Sequence, residues 1–143
     1  MQRIEVQAEI VMISSYCDIV LKILSAHRTL SINKMLVFAY LAKKKKFNQS
    51  DIYSAHNKHD VVLKCISQLS GLFSDYCENI QYLVKAIHLL ISDGKVVVYE
   101  TELLLPADSQ PTGYNEDAFI KKAIEESRKY TDRQFLKEVI HNV

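Results

Sequence analysis

Residues 92–106 read SDGKVVVYETELLLP, and this stretch decides the fold because the spacing of apolar residues changes within it. Before it, apolar residues recur every three or four positions, as they do along one face of a helix. After Gly94, the β-branched and aromatic run Val96–Tyr99 is followed by the break Glu100–Thr101 and by three leucines. Gly94 suits the left-handed residue that ends many helices, and the two apolar runs predict a β-hairpin over about 95–106.

The first part of the chain predicts two helices. Apolar residues from Ile10 to Leu24 are spaced by three and four positions, which is typical of an amphipathic helix. Ser31 is a suitable N-cap for the second helix. The centre of that helix, Met35–Leu41, is apolar on every side, as expected of the central helix of a domain.

Three further helices are predicted between this central helix and the hairpin. Ser50 is a suitable N-cap for a short one through His56. Asp60 is a suitable N-cap for a longer one, with Phe73 on its inward face, and Asn79 for the helix that leads into the hairpin.

Two C-terminal helices are predicted over about 116–142. Thr131 with Gln134 three positions later forms a capping box at the start of the second helix. The residues expected to face inward are Phe119, Ile120, Ala123, Ile124, Phe135, Leu136, Val139 and Ile140. We therefore predict a mainly α fold with one small β-hairpin, a winged-helix-like helical domain that spans residues 1–143.

Composition narrows the functional classes. The chain has 143 residues, a formal net charge of +1 and an odd number of cysteines, Cys17, Cys65 and Cys77, each on or beside an apolar stripe. These features predict reduced, buried thiols and a cytoplasmic protein. No apolar stretch in the sequence approaches the ~18 residues that a membrane helix needs, so no membrane contact is expected.

Positive charge is concentrated near the N-terminus. Residues 1–46 carry a net charge of +5 and residues 47–143 carry −4. A basic surface of this kind contacts phosphates or an acidic protein partner, or else keeps a helix end in water. The candidate contact residues are Arg28, Lys34, Lys43, Lys44, Lys45 and Lys46.

The sequence contains none of the common catalytic motifs. There is no GxSxG, no glycine-rich phosphate loop and no HExxH. His56 and His59 have a spacing seen in metal sites, but no CxxC accompanies them, so helix-cap or linker positions are the expected role. The acidic pairs Glu116–Asp117 and Glu125–Glu126 are expected on an exposed helix face or in a first helical turn. We predict no catalytic residue, no metal and no cofactor.

Two segments carry a resemblance to a known family. DIVLKILSAHRTLSINKMLVFAYLAKK, residues 18–44, and NIQYLVKAIHLLISDGKVVVYETELLL, residues 79–105, resemble the middle components of ABC-three-component, Lamassu-like bacterial defence systems. The resemblance lies in the order and length of elements over roughly residues 10–140, and it brings no functional residues with it. It departs from a simple winged helix by the additional helix between Asp60 and Tyr76.

The resemblance implies a non-enzymatic adaptor subunit. Its partners would be an SMC/ABC-like ATPase and an effector such as a nuclease, with at most weak, non-specific contact to DNA. The alternative is a stand-alone winged-helix regulator that binds DNA through its basic N-terminal third.

Overall fold

The structure, a computed structural model, describes residues 2–44, 58–109 and 116–142. Within these residues the chain forms helices and three short strands in the order α1, β1, α2, α3, α4, β2, β3, α5 and α6. The helices are α1 Gln2–His27, α2 Ile32–Lys44, α3 Lys58–Ser67, α4 Phe73–Ser92, α5 Ala118–Ser127 and α6 Asp132–Asn142. The strands are β1 Thr29–Ser31, β2 Val97–Tyr99 and β3 Glu102–Leu104.

The predicted hairpin is present, and the helix before it ends as expected. Gly94 has a φ of +74°, and its N–H donates to the carbonyl of Ile91. β2 and β3 are antiparallel neighbours joined by the two residues Glu100 and Thr101, with Tyr99 opposite Glu102.

The sheet has one strand that the sequence did not predict. β1 pairs with the other side of β3, so that the strand order is β1-β3-β2. Since a strand of three residues between two helices is too short to show an alternating pattern, it cannot be recognised by periodicity.

The core is built around α2, as its apolar composition predicted. Phe38 and Tyr40 are fully buried, and the ring of Phe38 lies 5.5 Å from that of Phe135 in α6. Helix α1 supplies Tyr16 and Val20, while α5 supplies Phe119. The buried apolar residues form one continuous cluster that joins all these helices.

Two of the predicted caps, Ser31 and Thr131, are present at the starts of α2 and α6. The Ser31 hydroxyl accepts from the N–H of Lys34 at 3.3 Å at the start of α2. At the start of α6, Thr131 and Gln134 bond each other's backbone N–H at 3.1 Å and 2.9 Å, which is the predicted capping box. Asp117 caps α5 by accepting from the N–H of Phe119.

The start of α4 was predicted wrongly. Asn79 does not begin a helix; it lies buried inside α4, which starts at Phe73. The Asn79 amide accepts from the Tyr16 hydroxyl at 2.7 Å and donates to the carbonyl of Asp75 at 2.8 Å. A polar residue in an apolar stripe here marks a buried hydrogen bond between helices instead of a cap.

A second set of corrections concerns α3 and the inward faces. Helix α3 begins at Lys58, two residues before the predicted cap Asp60, and ends at Ser67. Phe73 and Ile140, both predicted to face inward, are 52% and 74% exposed. The predicted short helix from Ser50 to His56 lies outside the described residues.

Polar contacts join the corner between α1 and α2 to the C-terminal part of the chain. The Arg128 guanidinium donates to the carbonyl oxygens of His27 and Thr29, both at 2.8 Å. The His27 ring lies 2.5 Å from a carboxylate oxygen of Glu116, and both side chains are at most 3% exposed. Glu116 was predicted, with Asp117, on an exposed helix face or in a first helical turn; it instead precedes α5, and its side chain is buried against His27 of α1.

We expect His27→Ala to lower the free energy of unfolding by about 3 kcal/mol or more, because it leaves the Glu116 carboxylate buried without its partner. The double variant His27→Ala, Glu116→Ala should lose less than the sum of the two single losses, since no buried charge then remains unpaired. Urea denaturation of the wild type, both single variants and the double variant measures this. Strictly additive losses would show that the two side chains do not interact.

Candidate functional site

The predicted basic residues do not meet in one patch. Arg28 follows the end of α1, whereas Lys43 and Lys44 end α2. At 1.5 Å per residue, the length of α2 separates these two groups by about 18 Å. Lys45 and Lys46 lie outside the described residues.

Lys34 lies in the interior. Its side chain is part of the buried set, and its ammonium donates to the carbonyl oxygens of Ser127 and Tyr130 at 2.8 Å and 2.7 Å. Burial lowers the pKa of Lys34, while Asp132 and Glu102 act in the opposite direction. This ammonium therefore caps the C-terminal end of α5.

Arg28 is exposed and lies at a special backbone position. Its φ is +71°, and its N–H donates to the carbonyl of Leu24 at 2.7 Å, which closes the last turn of α1. Its side chain borders an open cavity of about 250 Å³ whose lining includes Leu24, Leu105 and Pro106.

Of the four consecutive lysines Lys43–Lys46, the two that the structure describes contact neighbouring helices. The Lys43 ammonium donates to the hydroxyl of Ser15 at 3.1 Å and lies 5.6 Å from the centre of the Tyr16 ring. Lys44 pairs with Asp75 at 2.6 Å and lies 5.5 Å from the centre of the Tyr40 ring. Both cations therefore hold the end of α2 against α1 and α4 through charge and cation–π contact.

The same cluster contains tyrosines with perturbed acidity. The Tyr40 hydroxyl donates to Asp75 at 2.6 Å, as expected of a core tyrosine with a satisfied hydroxyl. Burial first, and the Asp75 carboxylate second, raise the pKa of Tyr16 and of Tyr40. Burial also raises the pKa of Tyr76, whose ring contacts that of Tyr40, to about 12.

The three thiols are free and differ in exposure. Cys65 is fully buried, and burial raises its pKa. Cys17 is half-buried, with its thiol 3.7 Å from the carbonyl of Ala86. Cys77 is exposed on α4, which corrects the prediction that all three are buried.

No metal centre is formed by the described side chains. Among them, no group of three or more His, Cys, Asp or Glu residues is arranged to hold a metal ion. His56 lies outside the described residues, and for His59 only the backbone, in α3, is described.

An exposed apolar segment at the start of α1 is the most unusual surface that the structure describes. We call residues 3–11 the N-terminal arm. Ile4 is 71% exposed, Val6 53%, Ile10 56% and Val11 66%, and residues 3–8 are all exposed. At its base Glu9 pairs with Lys85 of α4. The helix was predicted only from Ile10, although the spacing of Ile4 with Val11 and of Val6 with Ile10 already fits a helix.

The same helix meets the length and composition expected of a membrane span. An 18-residue window within Arg3–His27 is apolar enough to cross a membrane, and 28% of that window is buried inside the structure. The sequence-based statement that no segment reaches this length is therefore corrected. The C-terminal half of α1 nevertheless supplies Tyr16, Val20, Ile23 and Leu24 to the core, each with no exposed area.

Comparisons with protein families, with curated proteins and with solved structures found no match to this chain.

We expect alkaline unfolding to depend on the tyrosine cluster. The folded-state pKa values of Tyr16, Tyr40 and Tyr76 lie above the ordinary value of 10, so their contribution to stability is complete below pH 10. It is lost as the pH rises from 10 through about 12, the range set by Tyr76. Tyrosinate absorbance and circular dichroism, recorded together, should show these three tyrosines ionising only as the fold is lost.

The variant Tyr40→Phe tests this assignment, because it removes one ionisable group from the cluster. The free energy of unfolding should then fall less steeply with pH above 10. Ionisation of all eight tyrosines in one step near pH 10, with the fold intact, would contradict the assigned burial.

We expect Lys43 and Lys44 to contribute little to any DNA binding, because both are held by Ser15, Asp75 and two tyrosine rings. Removing four phosphate contacts would change the log–log salt slope by about four. We predict that the double variant Lys43→Gln, Lys44→Gln changes the salt slope by less than about one. A larger change, at most about two, is expected only from the double variant Lys45→Gln, Lys46→Gln.

Fluorescence anisotropy with a random-sequence duplex at several salt concentrations measures these slopes. Lys121→Gln, Lys122→Gln on the exposed face of α5 removes the same charge elsewhere and serves as the control. A slope change near two from Lys43 and Lys44 alone would show that their ammonium groups leave the cluster to bind phosphate.

Proposed function

We propose that this chain is a non-enzymatic adaptor subunit that binds a protein partner through its N-terminal arm. The observation that carries the proposal is the exposure of four large apolar side chains within eight consecutive residues of one helix. Single exposed apolar residues are normal, but a contiguous group marks an interaction site.

The apolar residues of the arm form two rows. Ile4 and Val11 are seven positions apart and lie on the same side of the helix, while Val6 and Ile10 are four apart and lie on another. At about 100° per residue, the centres of the two rows lie about 130° apart around the helix. A helix that is apolar on two sides is stabilised by burial between partner elements, such as two helices of another subunit.

The rest of the fold supports an adaptor of the winged-helix type. The strand order β1-β3-β2 and the hairpin that follows α4 agree with that interpretation. In a winged helix that reads DNA, the helix before the wing is inserted into the major groove. The exposed face of α4 instead includes Val84 and Leu89, 50% and 46% exposed, and its Lys85 pairs with Glu9. This surface favours protein contact over base readout.

The resemblance to middle components of ABC-three-component systems supplies the partner class. We propose that the arm binds an SMC/ABC-like ATPase and that another face of the domain holds the effector. A gene for such an ATPase beside the gene of this protein is the first expectation. An isolated position in the genome would instead favour the stand-alone DNA-binding regulator.

We expect Ile4→Glu, Val11→Glu to weaken binding to the neighbouring ATPase by about 100-fold, since burying each of these side chains contributes at least about 1.5 kcal/mol. Ser70→Glu, Ser92→Glu is the matched control, because both positions are exposed, lie outside the arm, and receive the same added charge. Calorimetry of the purified subunits gives the affinities, and circular dichroism checks that each variant is folded.

Equal affinity of wild type and the Ile4→Glu, Val11→Glu variant would refute the arm as the binding site. Co-sedimentation of the wild type, but not of this variant, with phosphatidylcholine vesicles would assign the arm to a membrane instead. Tight, sequence-selective DNA binding by the isolated chain would refute the adaptor.

A further inference from the structure

We infer that two copies of this chain associate through the free edge of β2, joining their sheets into one antiparallel sheet. This goes beyond the proposed adaptor function and uses a surface on a different element from the N-terminal arm.

The free edge follows from the strand order. β2 pairs with β3 on one side, and the described residues place no strand on its other side. Natural proteins protect such edges with proline, lysine, bulges or covering loops. β2 itself reads VVY, and Val97, Val98 and Tyr99 are 44%, 40% and 68% exposed. An apolar edge without a charged residue or a proline in the strand is open to pairing with another strand.

The direction of the backbone groups can be derived from the register. The N–H of Ile32 donates to the carbonyl of Thr101, so Thr101, and with it Leu103, directs its backbone toward β1. In an antiparallel ladder alternate residues bond to alternate sides, so Glu102 and Leu104 bond to β2. Their partners Tyr99 and Val97 therefore bond to β3, and the N–H and C=O of Val98, opposite Leu103, point to the free edge.

A dimer with a two-fold axis at Val98 pairs the backbone N–H and C=O groups that point to this edge. Two Val98 residues then exchange both backbone hydrogen bonds, as in a hydrogen-bonded antiparallel pair. The same register places Val97 of each copy opposite Tyr99 of the other. An aromatic residue opposite a β-branched residue is a favourable cross-strand pair, and symmetry makes two of them.

Charge complementarity identifies a second copy as the occupant. Lys95 and Glu100 flank β2 at its two ends, and both are exposed. Antiparallel pairing about Val98 places Glu100 of each copy opposite Val96 of the other, one position from Lys95, so a basic and an acidic residue become neighbours at both ends. Parallel addition of a like strand would bring equal charges together instead. Since each strand has three residues, the interface is small and we expect a weak, reversible dimer.

Sedimentation velocity over the micromolar to millimolar range tests the proposal on the full chain. We expect Val98→Pro to abolish the dimer and keep the fold, because proline removes an N–H that points away from β3 and is tolerated on edge strands. Lys95→Glu alone or Glu100→Lys alone should weaken the dimer by about tenfold through like-charge contacts. The double variant Lys95→Glu, Glu100→Lys should restore it, and an equimolar mixture of the two single variants should associate more tightly than either alone.

Two further readouts locate the interface. Amide hydrogen exchange at Val98 should slow as the protein concentration rises, whereas exchange at Val84 on α4 should not change. Ile4→Glu, Val11→Glu should leave the dimer unchanged, so failure of this proposal and failure of the arm are distinguishable. A protein that stays monomeric at millimolar concentration, or a dimer that Val98→Pro does not weaken, overturns the inference.

Discussion

The ammonium group of Lys34 lies inside the molecule and donates to the carbonyl oxygens of Ser127 and Tyr130, where α5 ends. The Ser127 carbonyl also accepts from the N–H of Tyr130, and a buried charge is tolerated only where it is hydrogen-bonded. From the other side, Arg128 donates to the carbonyls of His27 and Thr29. Lys34, in the first turn of α2, thus caps the C-terminal end of α5. Arg128, the residue after α5, caps the C-terminal end of α1. This reciprocal capping, reinforced by the buried His27–Glu116 pair, sets the position of β1 and therefore of the whole sheet.

The features that sequence predicted well are those with a local physical cause. The capping box of Thr131 and Gln134 and the left-handed Gly94 depend on residues a few positions apart. The hairpin after Gly94 is equally local, because its turn joins the two strands that pair. The fully apolar centre of α2 predicted the core helix, since a helix without a polar face has to be enclosed.

The features that sequence missed depend on residues far apart in the chain. β1 is a strand only because β3, over seventy residues later, lies beside it. Asn79 was read as a cap because its partner, the Tyr16 hydroxyl, is not visible in the local pattern. The candidate site shows the same limit. The basic residues of the first third were read as one possible patch. In the structure Lys34 is enclosed, Arg28 lies at the far end of α2, and Lys43 and Lys44 contact tyrosines and Asp75. The apolar arm was missed because a helix that continues beyond its core lacks the inward-facing stripe that defines an amphipathic pattern.

The length of α1 has a mechanical consequence. Its 26 residues form one unbroken helix of about 39 Å, with the exposed arm at one end and His27 at the corner with β1 at the other. A continuous α-helix is stiff over this distance, and its C-terminal half is packed in the core, so a load applied to the arm is carried along the helix past the Glu9–Lys85 pair. The far end of that helix is held by Arg128 and Glu116 through hydrogen bonds to the backbone and ring of His27. Force on the arm is therefore delivered to the edge of the sheet, with no flexible loop between them to absorb it.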